Sequence, residues 1–366
     1  MTLPAAPDYL GGSLLNLIAE LEFRLVGSAQ SQRLHSGVAD LIPDAETIVL
    51  VVFDGLGFAQ LQHPAAASLQ QDAIAELDAP FPTTTTVSLA TVATGLSPAE
   101  HGLLGYQLWM PDLGVVANTI KWTTLWGEAL EYDTRAFLPS PNMWERLTAA
   151  DVEPITVQPE GFRSSKLSDL LYRGCRFEGV STIDELVSAT CDLARTPRRL
   201  IVTYVANVDF AAHVYGQTSR EYAEAMAVAD YVWSKLAARI PTGALLVGTA
   251  DHGHVDFPQE RQIRIPKALH RGRVFYGDGR AMYVKGDGET VAGALPAHWA
   301  PLDEIRHLWG PASVSMTGVD RLPDGVLVAE DGYLLLHKHS DDRMVGNHGG
   351  LTAAERIIPL LMGQDV

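Results

Sequence analysis

Three short apolar runs, each rich in β-branched residues, constrain the fold of this chain more than any other feature. They lie within residues 46–53, 200–205 and 244–248. Continuous apolar runs of this length are typical of strands buried on both faces, because a strand with one solvated face alternates instead. Helical patterns over 85–94 and 219–240 separate the runs. The sequence therefore predicts an α/β fold with a doubly wound, mostly parallel sheet flanked by helices.

Two stretches, 150–185 and 257–345, interrupt this simple alternation of strands and helices. The second is rich in Gly, Pro and short extended runs, and we interpret it as a small α+β insertion near the functional edge of the sheet. The predicted catalytic core is then 1–256 together with 346–366. A chain of 366 residues suits one large α/β domain with insertions, or two domains.

Acidic residues follow the predicted strands. Asp54 comes directly after one of the apolar runs, and Asp209 and Asp251 follow the other two within a few residues. Because open α/β sheets bind ligands at the carboxyl ends of their strands, we expect the three carboxylates to converge there. Histidines 213, 252 and 348 and a run of four threonines at 83–86 lie in or near similar strand-end segments. Together these fragments supply enough ligands for two metal ions, a common arrangement for displacement at phosphorus.

Composition narrows the class of protein. The net charge of -17 argues against binding to a nucleic-acid polymer, which normally requires a basic face. Cys175 and Cys191 cannot form a disulfide framework and fit a reducing compartment. The chain shows no signal-peptide pattern at its start and no apolar run long enough to span a bilayer. We therefore predict a cytoplasmic protein without a membrane partner.

The candidate ligands occur in pairs. Asp209 and His213 stand four apart, so one helical face can present both; taken alone, the pair fits a helix cap and a surface histidine as well. Asp251 and His252 are adjacent before a glycine, which suits either chelation or a hydrogen-bonded turn. His254 and Asp256 are candidates for orienting the ligands.

The threonine run at 83–86 is unusual at a predicted strand–helix junction. One hydroxyl can cap the helix, and another can serve as a nucleophile if a metal ion lowers its pKa. The helix N-terminus would also favour an incoming anion. A plain capping run would need only one or two of the four.

Together these segments resemble the alkaline phosphatase superfamily, most closely its type I phosphodiesterase/nucleotide pyrophosphatase branch. The matching signatures occur in the family's order and span nearly the whole chain, at residues 52–55, 81–102, 207–216, 249–253 and 347–350. Signatures of other enzyme classes are missing, including the Gly-x-x-x-x-Gly-Lys-Ser/Thr phosphate loop and the Gly-x-Ser-x-Gly nucleophile elbow.

The resemblance implies roles for individual residues. One Zn²⁺ would be held by Asp54, Thr85, Asp251 and His252, and the other by Asp209, His213 and His348, with Mn²⁺ as an alternative metal. The nucleophile falls on Thr85. The chain departs from the family at Thr84, where a Lys is frequent, and at Ser88, where an Asn would bind a phosphoryl oxygen. We expect the Ser88 hydroxyl to take over that contact.

The predicted function is hydrolysis of phosphodiester or pyrophosphate bonds, with a nucleotide or another small phosphodiester as substrate, through a phosphothreonine intermediate. Alternatives on the same scaffold are a phosphonate hydrolase, a metal-dependent phosphomutase, and a metal-binding protein without catalysis. No Lys or Arg occurs between Arg33 and Lys121, which favours a singly charged diester over a monoester dianion. Arg163 and Lys166 are the candidates for a loop that brings positive charge to the substrate.

Overall fold

Two sheets organise the part of the chain that the computed structural model describes, residues 5–312 and 319–363. The strands are Thr47–Phe53 (β1), Ala73–Asp78 (β2), Gln107–Met110 (β3), Val115–Asn118 (β4), Thr123–Thr124 (β5), Glu153–Pro159 (β6), Arg176–Val180 (β7), Arg199–Val205 (β8), Ala244–Ala250 (β9), Val255–Asp256 (β10), Gln262–Arg264 (β11), Val274–Gly277 (β12), Ala281–Lys285 (β13), Ala297–Pro301 (β14), Gly325–Ala329 (β15), Leu334–Leu336 (β16), Gly346–Asn347 (β17) and Ile357–Met362 (β18).

The α-helices are Leu14–Val26 (α1), Ser36–Ala39 (α2), Ala67–Gln71 (α3), Thr85–Thr94 (α4), Pro98–His101 (α5), Met143–Ala149 (α6), Lys166–Leu171 (α7), Ile183–Leu193 (α8), Asn207–Tyr215 (α9), Arg220–Arg239 (α10), Glu289–Ala292 (α11), Leu302–Ile305 (α12) and Ala353–Arg356 (α13). Short 3₁₀ turns occur at Phe58–Gln62, Thr134–Ala136, Glu160–Phe162, Gln259–Arg261, Lys267–His270, Arg306–Trp309 and Val319–Arg321. No helix among these described residues is both long and apolar enough to cross a membrane.

The first sheet has the strand order β2-β18-β9-β1-β8-β6-β7. Strands β9, β1, β8, β6 and β7 run parallel, and β18 is antiparallel to both of its neighbours. Every residue of β1 and β9 is buried, as expected for strands covered on both faces. Helices α1, α4 and α6 pack together, and α10 packs on α3 and α8. The predicted α/β fold is confirmed.

The three apolar runs form the centre of this sheet and end level with one another. Phe53 pairs with Val205 of β8 and with Ala250 of β9. The residues that follow these strands therefore emerge at one edge, as the sequence predicted. The stretch 150–185 does not interrupt the alternation as we expected, because it contributes two further parallel strands, β6 and β7, and helix α7.

The second sheet is antiparallel, with the order β14-β15-β13-β12-β3-β4-β5. Four of its strands belong to the stretch 257–345, but β3, β4 and β5 come from residues 107–124, which the predicted boundaries assign to the core. The pairing of Gly277 with Gln107 joins the two parts. Strand β17 then pairs with β10, so the chain returns to the edge of the first sheet directly before His348.

Candidate active site

Asp54 and Asp251 meet at the carboxyl edge of the first sheet because β1 and β9 are neighbours. Asp251 Oδ1 accepts the backbone N–H groups of Gly55 at 3.0 Å and His252 at 2.9 Å. Its Oδ2 is buried without a hydrogen-bond partner in the described structure. His252 Nε2 lies 3.4 Å from that oxygen and 3.5 Å from Asp54 Oδ1. These three side chains form one cluster suited to a cation.

The environment of Asp54 disfavours its charged form. Burial raises the pKa of its carboxyl group well above the ordinary value, and the charges of Asp251 and Asp209 add to the shift. Its Oδ2 accepts a hydrogen bond from the Tyr204 hydroxyl. A bound cation would offset the cost of ionising Asp54, because its positive charge balances the negative charges of the three carboxylates.

A second cluster forms around Asp209 Oδ1 at the start of α9. His213, one helical turn later, places its Nε2 3.4 Å from that oxygen, as the spacing of four predicted. The Nε2 atoms of His254 and His348 lie 3.3 Å and 3.7 Å away. Burial alone would raise the pKa of Asp209, but the three imidazoles outweigh it and hold the pKa well below the ordinary value. Asp209 Oδ1 has no hydrogen-bond partner in the described structure.

Three of the histidines are oriented in the same way by backbone carbonyls. The Nδ1 atoms of His213, His252 and His348 lie 2.8, 3.0 and 2.7 Å from the carbonyl oxygens of Gly346, Gly253 and Thr83. When Nδ1–H donates to a carbonyl, the lone pair of Nε2 is free. This is the tautomer that ligation of a metal through Nε2 requires. Each free Nε2 points into its cluster.

The two clusters adjoin. The rings of His252 and His348 stack with centroids 3.7 Å apart, although they belong to different clusters. Burial lowers the pKa of His348 well below its ordinary value, and the neighbouring His252 contributes. The His348 ring is therefore neutral at neutral pH and available as a ligand.

Thr85 is the threonine of the run that reaches the clusters. Its Oγ1 lies 3.1 Å from His252 Nε2 and 3.4 Å from Asp54 Oδ1. The hydroxyl of Thr83 donates to the carbonyl of Gly350 and accepts the Gly349 N–H, so it fixes the loop that carries His348. Thr84 occupies the N-cap position of α4 without a side-chain hydrogen bond, so the expected hydroxyl cap does not form.

Comparison with known proteins identifies the family of this chain. The model of the family described as type I phosphodiesterase/nucleotide pyrophosphatase matches residues 48–351. The chain belongs to this family. Members are typically metal-dependent, and membership makes the chain a hydrolase of phosphoester bonds.

Solved structures show the same fold, that of the alkaline phosphatase superfamily. Murine ectonucleotide pyrophosphatase/phosphodiesterase 5 is 19% identical, covering 86% of this chain and 87% of its own, with a TM-score of 0.65. A variant of it, described as inactive and carrying a threonine-to-alanine change, is in complex with AMP and gives a TM-score of 0.66. Phosphonoacetate hydrolase from Sinorhizobium meliloti, in complex with phosphonoformate, is 18% identical over 89% of this chain and 92% of its own, with a TM-score of 0.66.

The residues predicted to contact the substrate are Ser88, Arg163 and Lys166, and none of them lines the cavity that contains Thr85. Ser88 is buried, and its hydroxyl donates to the Asp251 carbonyl at 2.7 Å, so it supports the loop that carries Asp251. Arg163 is exposed, pairs with Glu160 and donates to the Phe177 carbonyl. Lys166 is exposed at the start of α7. Neither cation lines the cavity that contains Thr85.

Two further side chains, those of His254 and Tyr204, contact candidate metal ligands. His254 joins the Asp209 cluster, whereas Asp256 accepts the Gln217 N–H at 2.7 Å and belongs to neither cluster of the described residues. Tyr204 holds Asp54 from within β8. Nothing in the sequence marks Tyr204, because it stands inside an apolar run where an aromatic residue is ordinary. Its role depends on β8 lying beside β1.

Proposed function

We propose that this chain hydrolyses phosphodiesters with Thr85 as the nucleophile and two divalent metal ions, Zn²⁺ or alternatively Mn²⁺. The observation that carries the proposal is the position of Thr85 Oγ1, within 3.4 Å of both Asp54 and His252 in the lining of a cavity. The described residues fit the metals. Carboxylate oxygens and neutral imidazoles are ligands for Zn²⁺, and buried oxygens of Asp209 and Asp251 lack partners.

The two ions would be held by the two clusters: Asp54, Asp251 and His252 with Thr85, and Asp209, His213 and His348. When bound, such ions lower the pKa of a hydroxyl or water and neutralise charge that develops on phosphoryl oxygens. Asp54 Oδ1 accepts the Thr85 hydroxyl, while Tyr204 fixes the other oxygen of the same carboxylate. The first turn of α4 adds backbone N–H groups that favour an anion.

In the first step, Thr85 Oγ1 forms a bond to phosphorus while the bond to one ester oxygen breaks, and that alcohol leaves. In the second step, water displaces Thr85 from the resulting phosphothreonine, giving a phosphate monoester. The substrate is a small molecule, since the charge of -17 opposes binding of a nucleic-acid polymer. The free thiols of Cys175 and Cys191 support the predicted cytoplasmic location.

The cavity favours diesters over monoesters and phosphonates. Its described lining contains no Lys or Arg, and residues 1–4, 313–318 and 364–366 contain none either. A monoester dianion, or the carboxylate of phosphonoacetate, carries a second negative group that a cation would normally offset. We therefore do not extend the proposal to phosphonate hydrolysis or to a phosphomutase.

Removal and replacement of the metal ions test the proposal. Dialysis against a chelator should reduce turnover of bis-p-nitrophenyl phosphate at least 100-fold, and Zn²⁺ or Mn²⁺ should restore it. Restored protein should prefer this diester to p-nitrophenyl phosphate in kcat/KM. Protein that binds two ions without turnover would establish the non-catalytic alternative. Undiminished turnover after the ions are removed would contradict the metal requirement.

A further inference from the structure

We infer that this site selects substrates by an apolar group: the cavity above Thr85 accommodates the alkyl or aryl arm of a phosphodiester, in preference to a nucleoside. The inference rests on the proposed function, because it concerns the ester arm of the substrate whose phosphorus Thr85 would attack. It is carried by the lining of the cavity, by exposed side chains at its mouth and by the hydrogen bonds of its few polar groups.

The cavity has a polar end and apolar walls. Its volume is about 330 Å³, within the range of small-molecule sites. Asp54, Thr85, Asp209 and His213 line one end, which is the part of the site where phosphorus would lie. The remaining walls are mostly aliphatic and aromatic, and include Leu89, Leu167, Leu171 and Tyr172. A phosphodiester bound at the clusters would therefore direct one ester arm along apolar surface.

Large apolar side chains are exposed where the cavity meets solvent. Phe210 is 61% exposed, and the other members are Ile120, Phe162, Val214 and Met344. They come from four separate segments that converge only in the folded chain. Grouped exposed apolar residues are typical of binding sites, because burial by a ligand relieves their contact with water.

Helix α9 places candidate metal ligands and apolar side chains of the cavity next to one another. Asp209 and His213 stand four apart on the face that reaches the second cluster, and Phe210 and Val214 follow each by one position. The adjacent face of the same helix therefore presents apolar side chains beside the candidate ligands. An apolar arm attached to phosphorus would meet Phe210 and Val214 directly.

Three polar side chains of the cavity already donate hydrogen bonds to other protein groups. Gln158 donates to Thr156 at 2.8 Å, and the Ser165 hydroxyl donates to Ser168 at 3.0 Å. Tyr204 donates to Asp54. A nucleobase would have to compete with these bonds, and a site that discriminates a polar group needs free partners for it. Because the described lining contains no Lys or Arg, a second phosphate group would likewise lack a cationic partner.

Binding of n-alkyl phosphates, from methyl to octyl, tests the inference by isothermal titration calorimetry on the metal-loaded chain. These compounds carry one organic arm, so a dependence of affinity on chain length reports the surface that this arm contacts. Each buried methylene should tighten binding about three- to fourfold, and four should tighten it roughly 100-fold. Octyl phosphate should bind at least tenfold more tightly than AMP, which presents the same phosphate on a nucleoside.

Variants identify the surface responsible. Phe210→Ala should reduce the gain per methylene, since it removes an exposed wall with little effect on packing. Leu41→Ala is the matched control, because Leu41 is also an exposed apolar residue, at 48%, and does not line the cavity. It should leave the dependence on chain length unchanged.

The result that would overturn the inference is an affinity independent of chain length, or AMP binding more tightly than octyl phosphate. Turnover of bis-p-nitrophenyl phosphate is measured on the same protein. If turnover is present while affinity is independent of chain length, only the inference fails. If metal-loaded protein neither binds methyl phosphate nor turns over the diester, the proposed function fails with it.

Discussion

His254 differs from the other imidazoles of the site because neither of its ring nitrogens has a hydrogen-bond partner in the described structure. Burial lowers its pKa to about 4, so the ring is neutral at neutral pH. Its Nε2 lies 3.3 Å from Asp209 Oδ1, and its ring packs against Gly346, where any Cβ would come within 2.6 Å. It is therefore placed to orient Asp209, or to add a ligand.

We expect His254→Ala to weaken ion binding at the Asp209 cluster about 10–100-fold and to spare the Asp54 cluster, because residues behind a ligand typically contribute that much. Calorimetric titration of metal-free protein with Zn²⁺ would resolve the two sites. His101→Gln, a change at another buried histidine, is the control for general destabilisation. If each site binds Zn²⁺ with the same affinity in His254→Ala as in the unaltered chain, His254 contributes to neither site.

Among single residues, those that follow a strand or repeat at helical spacing could be predicted from the sequence to lie at the site. Asp54, Asp251 and the Asp209–His213 pair are of this kind, and the structure brings them together with His252 and His348. Their role as metal ligands remains a prediction. Ser88 and Arg163 could not be placed from the sequence, because the direction of a side chain depends on packing: Ser88 turns to the Asp251 carbonyl, and Arg163 to Glu160.

Among the structural elements, the turn after β1 depends on a glycine. Gly55 has φ of +73°, and a Cβ there would lie 2.9 Å from both Cα and Cβ of Asp209. Gly27, with φ of +77°, has nothing within 4 Å of such a Cβ. The two positions therefore share the left-handed backbone conformation but differ in what surrounds them.

Gly55→Ala and Gly27→Ala should each lower the free energy of unfolding by about 1–2 kcal/mol, because an L-residue is strained in this conformation. Only Gly55→Ala should also weaken ion binding at the Asp209 cluster, since the added methyl displaces Asp209. Urea unfolding measures the first effect and calorimetry the second. Similar ion affinities in the two variants would mean that the turn does not position Asp209.

Elements formed by local pattern were predictable, whereas pairing over long distances was not. The runs that became β1, β8 and β9 carry their own apolar pattern, and helix α10 carries its own cap, because Ser219 accepts the Tyr222 N–H at its start. The partnership of β3 with β12 spans more than 150 residues, and both are short strands without a distinctive register signal. The predicted boundaries therefore separate 107–124 from the strands of 257–345 that share its sheet.

For the whole molecule, buried neutral histidines link stability to pH. Burial lowers the pKa of His101 to about 3, and its Nδ1 accepts the Leu103 N–H, which protonation would displace. The unfolded chain binds that proton near pH 6.5, so the contribution to stability is fully present above that pH. It is lost as pH falls from about 6.5 towards 3.

Between pH 7 and pH 5, the free energy of unfolding of metal-free protein should fall about 2 kcal/mol more in the unaltered chain than in His101→Gln. Urea unfolding at the two pH values measures the difference. His307→Gln, at an exposed position, is the control and should keep the slope of the unaltered chain. Identical slopes in the unaltered chain and His101→Gln would show that His101 is not responsible.

Thr85 is the one side chain that would exchange bonds with the substrate. The decisive measurement is kcat/KM for bis-p-nitrophenyl phosphate with metal-loaded Thr85→Ala, beside Thr84→Ala and Thr86→Ala. We expect Thr85→Ala to lose at least about 1,000-fold while still binding an ion at the Asp209 cluster, and the two neighbours to remain within about tenfold of the unaltered chain. An active Thr85→Ala, or an inactive neighbour that still binds both ions, would contradict the assignment of the nucleophile.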